Sequence, residues 1–224
     1  MTFTGIIPAA GKADRMYGLP KMFLPIPGGS VMGKVVERLQ QGGASQILVG
    51  ASPVNQSTIE TYAPQGVTVY RAQSLTMVET VLTARRWCGE KTIMAMADSY
   101  WYDTTLVRRM RDALDEVDLV IGAFVIRPGQ HRKLGMIHRV NGHIEIIDKP
   151  IASKDSTAWG LVGWKEPFWE FMNAKDKHLG LAMNAAVNAG LKWKVEAGAW
   201  GYFDLGTLDE YYELLTAMTD TVMA

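Results

Sequence analysis

The chain has 224 residues, enough for one large domain with a substantial core, and its 48% hydrophobic and 21% charged residues are ordinary for a soluble globular protein. Lysine plus arginine (23) balances aspartate plus glutamate (23), which excludes a surface built broadly for nucleic acid or membrane and leaves room for a local cationic site. The single cysteine, Cys88, can neither cross-link the chain internally nor build a thiolate metal centre. The four histidines (His131, His138, His143 and His178) lack metal-ligand spacing. No apolar run reaches the length of a membrane span, and the N-terminus carries no basic region before an apolar one, so a cytoplasmic protein is expected.

In chain order, "FTGIIPA" reads as a short apolar strand. "SVMGKVVERLQQGG" reads as an amphipathic helix: Ser30 is placed to cap it, Val31, Val35 and Leu39 recur every fourth residue, and Gly42-Gly43 closes it. "QILVGA" and "VTVYRA" follow as further strands. "TMVETVLTARRWC" returns to a helical period, with Cys88 a packed thiol, and "TIMAMA" is a strand that runs into Asp98. Strands separated by helices imply a Rossmann-like α/β fold, a mixed and mostly parallel sheet with helices on both faces.

After "DLVIGAFVI" the pattern changes. "GMIHRV-NG-HIEIIDKP" is a hairpin signal, its arms joined by Asn141-Gly142. "AWGLVGW", helices near 166–174 and 178–190, the strand "KWKVEA" and a last helix from about residue 207 complete the chain. Thr207 and Glu210 have capping-box spacing for that helix. No linker and no repeat divides the sequence. One domain is expected, with a nucleotide-binding half over about residues 1–125 and a β-hairpin-containing, acceptor-binding half over about 126–224.

Two segments raise the question of phosphate. Gly28 to Val35 has the glycine and lysine spacing of a P-loop, but its last position is Val35 rather than Ser or Thr, and Pro25 and Pro27 spoil the preceding strand. It reads as a turn entering a helix. In "IIPAAGKADRMYGLPKMFLPI", Ala9, Ala10 and Gly11 directly follow a strand, so a ligand can approach exposed amides. Arg15 offers a bidentate grip, and Lys21, pinned by Pro20, a mobile point charge. From the residues alone, a phosphate loop and a surface loop with two solvated cations fit equally.

That stretch resembles the N-terminal signature of the sugar-nucleotide pyrophosphorylases, the sugar-1-phosphate nucleotidyltransferases, with Ala13 in place of the usual second loop glycine. Three later segments agree in order. "IMAMADSYWYD" resembles the family segment whose strand-end aspartate binds magnesium, at Asp98. "LGMIH…NGHIEIIDKP" is similar to the hairpin ending in Glu-Lys-Pro, with Asp148 replacing the glutamate and Lys149 retained. "YFDLGTLDEYYEL" resembles the late Asp-x-Gly-Thr, at Asp204.

The resemblance implies a nucleotidyltransferase fold of the GT-A-like kind. It also implies magnesium-dependent transfer from a nucleoside triphosphate to a sugar 1-phosphate, with pyrophosphate released. Arg15 and Lys21 would be catalytic. Ala9, Ala10, Gly11 and Gln73 would bind nucleotide, Gly135 and Lys149 the acceptor, and Asp98 and Asp204 the metal. Each has a local alternative: a helix cap for Asp98, a turn for Asp204, a hairpin start for Gly135, and an exposed charge for Lys149, held extended by Pro150. Trp159, Trp164, Trp193 and Trp200 read first as core aromatics. Two rival functions use the same fold: a cytidylyltransferase acting on a polyol phosphate or phosphocholine, and a non-catalytic nucleotide or sugar-phosphate sensor.

Overall fold

The computed structural model describes residues 2–11, 20–73, 76–127, 129–140, 142–199 and 201–223. Strand β1 (Phe3–Pro8) is buried along its whole length, as a continuous apolar run in the middle of a parallel sheet must be. A short 3-10 turn (Lys21–Phe23) leads into a small hairpin, β2 (Pro25–Ile26) and β3 (Gly29–Ser30), whose bend needs positive φ at Gly28 (80°) and Gly29 (143°). The P-loop-like spacing is therefore a hairpin. Helix α1 (Val31–Gln41) starts where expected, the Ser30 hydroxyl accepting the Gly33 N–H at 3.1 Å.

There follow β4 (Ala44–Ala51), α2 (Gln56–Tyr62), β5 (Thr68–Arg71), α3 (Met77–Ala84), β6 (Lys91–Ala95), β7 (Ser99–Trp101), α4 (Leu106–Ala113) and β8 (Leu119–Val125). The later part contains the hairpin β9 (Gly135–Val140) and β10 (His143–Asp148), then β11 (Thr157–Lys165), α5 (Gly180–Asn188), β12 (Trp193–Ala197), β13 (Tyr202–Asp204) and α6 (Leu208–Met223). Gly142 has φ 81°, as a tight hairpin turn requires, while Asn141 lies outside the described residues. The helix expected near 166–174 is a 3-10 segment over Glu166–Phe171. Among the described residues no helix is long and apolar enough to cross a membrane.

The sheet is mixed, and the strands β6, β1, β4 and β5, with β5 at the edge, run parallel. Beyond β6 comes the antiparallel β11, which holds β8 along one edge. Its other edge is shared. β6 occupies it from Leu161 to Lys165, ending at Ala95, whereas β9 takes it at Ala158, opposite Met136. The sheet thus forks beside Trp159 and Gly160, where the β8 pairing also shifts register. The fork lies at the C-terminal end of β6, the end at which open α/β sheets bind ligands.

Successive residues of β1 feed two cores. Ile7 belongs to one core together with Leu39 of α1, Val107 of α4, Phe124 and Tyr202. Ile6 belongs to the other, with Val81 of α3, Trp164 and Met183 of α5, on the opposite face. Each such side chain contributes about 1.5–3 kcal/mol by leaving water. A third cluster (Ile26, Val31, Tyr100, Phe203, Leu205, Leu214 and Met218) seats α6 against β7 and β13.

At the fork, a Cβ on Gly160 would lie 2.6 Å from Cε2 of Tyr202 and 2.8 Å from Cε2 of Phe124, both backing atoms being buried ring carbons. Gly160→Ala should lower stability by about 1–3 kcal/mol through overpacking, measured by urea denaturation. An unchanged midpoint would contradict this packing.

Candidate functional site

A cleft of about 380 Å³ opens at the C-terminal ends of β1 and β6. Pro8, Ala9, Ala10 and Gly11 form one wall, Lys21, Met22, Ala97 and Asp98 the floor, and Thr76, Met77, Thr80 and Met96 another side. The wall is held by its backbone: the Ala9 N–H donates to the Gly50 carbonyl at 2.8 Å, and the Asn55 side chain donates to the Ala9 carbonyl at 2.8 Å. The side chains are small, and among the described residues nothing lies within 4 Å of where a Cβ on Gly11 would sit.

Lys21 and Asp98 form an ion pair in this cleft, with side chains 19% and 11% exposed. Lys21 arrives from the 3-10 turn after Pro20, and Asp98 from the turn after β6. Each charge supplies the counterion that makes the other's partial burial tolerable.

Asp204 is brought alongside by a second sheet. β13 pairs antiparallel with β7, setting Asp204 opposite Ser99, and the Leu205 N–H donates to the Asp98 carbonyl at 2.9 Å. Beneath them the Tyr202 hydroxyl hydrogen-bonds the Ser99 hydroxyl at 2.8 Å. Burial pushes the Tyr202 phenol well above its ordinary value, and the carboxylates of Asp204 and Asp98 push it further, so it remains a neutral hydroxyl. Both carboxylates therefore act on one buried group. Helix α6 fixes β13 from outside: Arg127 lies over the Phe203 ring at 4.5 Å and pairs with Glu213 at 2.7 Å, and Lys133 pairs with Glu210 at 2.6 Å.

Gly135 and Asp148 are directly opposite in the hairpin. Trp159 packs on Gly135, where any Cβ would collide with the indole nitrogen, so the glycine is required by packing. Lys149 does not adopt the extended backbone that a following proline favours: its φ is 48°, in the left-handed region. The hairpin overrides the local preference, because the Lys149 N–H closes back onto the Leu134 carbonyl at 3.1 Å. A non-glycine residue there carries about 1–3 kcal/mol of strain.

The structure thus gathers Ala9, Ala10, Gly11, Lys21 and Asp98 in one cleft, with Asp204 joined to Asp98 through the backbone. Gln73, Gly135 and Lys149 are not in the lining of that cleft. The Gln73 N–H donates to the Glu79 carboxylate at 3.3 Å. Arg15 and Ala13 lie outside the described residues, as does Trp200. Trp164 is fully buried core. Sequence reading passed over Lys177, which reaches the cleft from the turn before α5. Its signal was faint, one of two lysines in "AKDKHLG" ahead of an apolar helix. Cys88 is inert as expected, its thiol pushed up to about 11 chiefly by burial.

Asp98 and Asp204, whose backbones are joined through the Leu205 N–H, are hard oxygen donors of the kind a small hard cation takes, although no cluster of three His, Cys, Asp or Glu occurs among the described residues. Such an ion completes its shell with phosphate oxygens and water.

A family model described as a MobA-like NTP transferase domain matches residues 5–156. No curated protein sequence matches the chain significantly. Among solved structures, one from Bacillus anthracis assigned as a glucose-1-phosphate thymidylyltransferase superposes with a TM-score of 0.85 at 15% identity, covering 96% of this chain and 94% of its own. The inositol-1-phosphate CTP transferase of T. maritima superposes at 0.79 and 16%, covering 96% and 95%. A UTP-bound UGPase from Acinetobacter baumannii superposes at 0.77 and 16%, covering 97% and 93%. At these identities the likeness establishes the nucleotidyltransferase fold.

Lys149→Gly should raise stability by up to about 1 kcal/mol, relief of the left-handed strain exceeding the added chain entropy. Thermal or urea denaturation checks it, and a clear loss of stability would contradict the strain assignment.

Proposed function

The chain belongs to the MobA-like NTP transferase family, and on that premise we propose that it transfers a nucleotidyl group from a nucleoside triphosphate to a sugar 1-phosphate with magnesium as cofactor. The observation that carries this reading is the meeting of Lys21 and Asp98 beneath the small-residue wall Ala9–Gly11, with Asp204 tied to Asp98 by the Leu205 N–H. Family members generally use a divalent metal. Here Asp98 and Asp204 would hold it, and it would supply charge neutralisation on the phosphates.

The acceptor phosphate is mostly dianionic near neutral pH, its second pKa being about 6, so it needs no protein base to attack the α-phosphorus in line. The chain's own residues position and neutralise. The amides of Ala10 and Gly11 receive phosphate oxygens, while Ala9, whose own N–H is taken by the Gly50 carbonyl, shapes the wall rather than donating as the sequence led one to expect. Lys21 swings from Asp98 to the α-phosphate as charge builds there, Arg15 steadies the departing pyrophosphate, and Lys149 with Gly135 orients the acceptor. Gln73 reads the base. Residues 1–125 and 126–224 serve as nucleotide and acceptor halves of one domain. The similar solved structures are named for glucose 1-phosphate, inositol 1-phosphate and UDP-glucose chemistry, and a phosphomonoester on a ring hydroxyl is the acceptor class they have in common.

Pyrophosphate release across a grid of triphosphates and phosphorylated acceptors tests the reading. Release requiring one triphosphate, one sugar 1-phosphate and magnesium is expected. Release with a polyol phosphate or phosphocholine alone would move the acceptor, and nucleotide binding without release would replace catalysis by sensing. Asp98→Asn should cut kcat by roughly 10²-fold or more while circular dichroism stays unchanged. Lys21→Ala should lower kcat far more than it changes nucleotide KM. Full activity in either variant would remove that residue from the mechanism.

A further inference from the structure

Thr76 makes more contacts than a helix cap needs. Its hydroxyl oxygen accepts the Glu79 N–H at 3.0 Å, which caps α3. Capping uses the oxygen and leaves the hydroxyl proton free. That proton is donated to the Ala174 carbonyl at 2.7 Å, 98 residues away in the acceptor half. Thr76 and Lys177 line the same cleft as Lys21 and Asp98.

The segment that Thr76 holds is compact. The Asn173 side chain accepts the Lys175 N–H at 3.0 Å, and the Asn173 carbonyl accepts the Asp176 N–H at 2.9 Å. Fixing Ala174 therefore fixes the turn that presents Lys177. On its far side His178 lies 4.0 Å from Asp148, next to Lys149. Lys21 is engaged by Asp98, whereas Lys177 has no carboxylate within ion-pair distance among the described residues.

We propose that Thr76 is a positioning residue: its hydroxyl latches the turn 173–178 of the acceptor half to the nucleotide wall, and so presents Lys177 as a second cation, facing the acceptor phosphate across the cleft from Lys21. The proposal rests on the nucleotidyl-transfer reading for the role of Lys177, but the latch itself is independent of it. A cap alone would accept glycine at little cost, since glycine is a tolerated N-cap. A latch would not, because glycine has no hydroxyl to donate. Serine would serve both purposes.

Two readouts test it, both on the full chain with Thr76→Gly, Thr76→Ser and Lys177→Met. Amide hydrogen exchange across 173–178, in protein without substrate, should speed up in Thr76→Gly and stay near wild type in Thr76→Ser. Unchanged exchange in Thr76→Gly overturns the latch whatever the protein catalyses. In steady-state kinetics Thr76→Gly should raise the acceptor KM about tenfold, with the Kd of the triphosphate by calorimetry within about twofold. Combined with Lys177→Met it should add little to the single lysine variant, because Thr76 acts through Lys177. Full additivity, or a loss confined to triphosphate binding, overturns the role given to Lys177. A wild-type protein that releases no pyrophosphate with any substrate overturns the transfer reading and with it the role of Lys177, while hydrogen exchange still decides the latch.

Discussion

The antiparallel pairing of β13 on β7 is the constraint on which the site depends. It brings Asp204 beside Asp98 although the two are far apart in the chain, and the Leu205 N–H locks the arrangement onto the Asp98 carbonyl. Asp98 is a partly buried carboxylate in the cleft, and a counter-charge makes that burial tolerable. Lys21 supplies it. On the proposed function, a divalent cation held by Asp98 and Asp204 would supply that counter-charge instead, and Lys21 would then be available to phosphate.

The rest of the fold serves this arrangement. Phe124 stacks on Tyr202 at 4.6 Å, tying the carboxylate pair to the core beneath β8. The glycine at 160 leaves room for both rings beside the forked edge of β11, so the gap between β6 and β9 and the support of the aspartates arise from one local device. Arg127 and Lys133 then fasten α6 over β13 from outside.

Much of this was legible in the sequence where a local rule and the tertiary structure agree. Strand β1, the Ser30 cap, the β9–β10 hairpin and Asp98 at the end of β6 follow from apolar runs, cap chemistry and turn residues. β7 and β13 were not read, because three residues are too few to show an alternation, yet they carry Ser99, Tyr202 and Asp204. Lys149 was misread for the opposite reason: the rule for a residue before proline is sound, and a hydrogen bond to Leu134 outweighs it. Lys177 escaped because a lysine in a polar turn carries no pattern, and its place in the cleft shows only in the tertiary structure.

The central claim is that Lys21 and a divalent cation share Asp98. The most direct test is manganese binding to the nucleotide-free protein, followed by the electron paramagnetic resonance signal of free Mn²⁺, in wild type and in Lys21→Met. Removing the competing ammonium should tighten manganese binding, and Asp98→Asn should abolish it in both backgrounds. Binding that is unchanged or weaker in Lys21→Met would contradict the account, because Lys21 would then not be the group that the cation displaces.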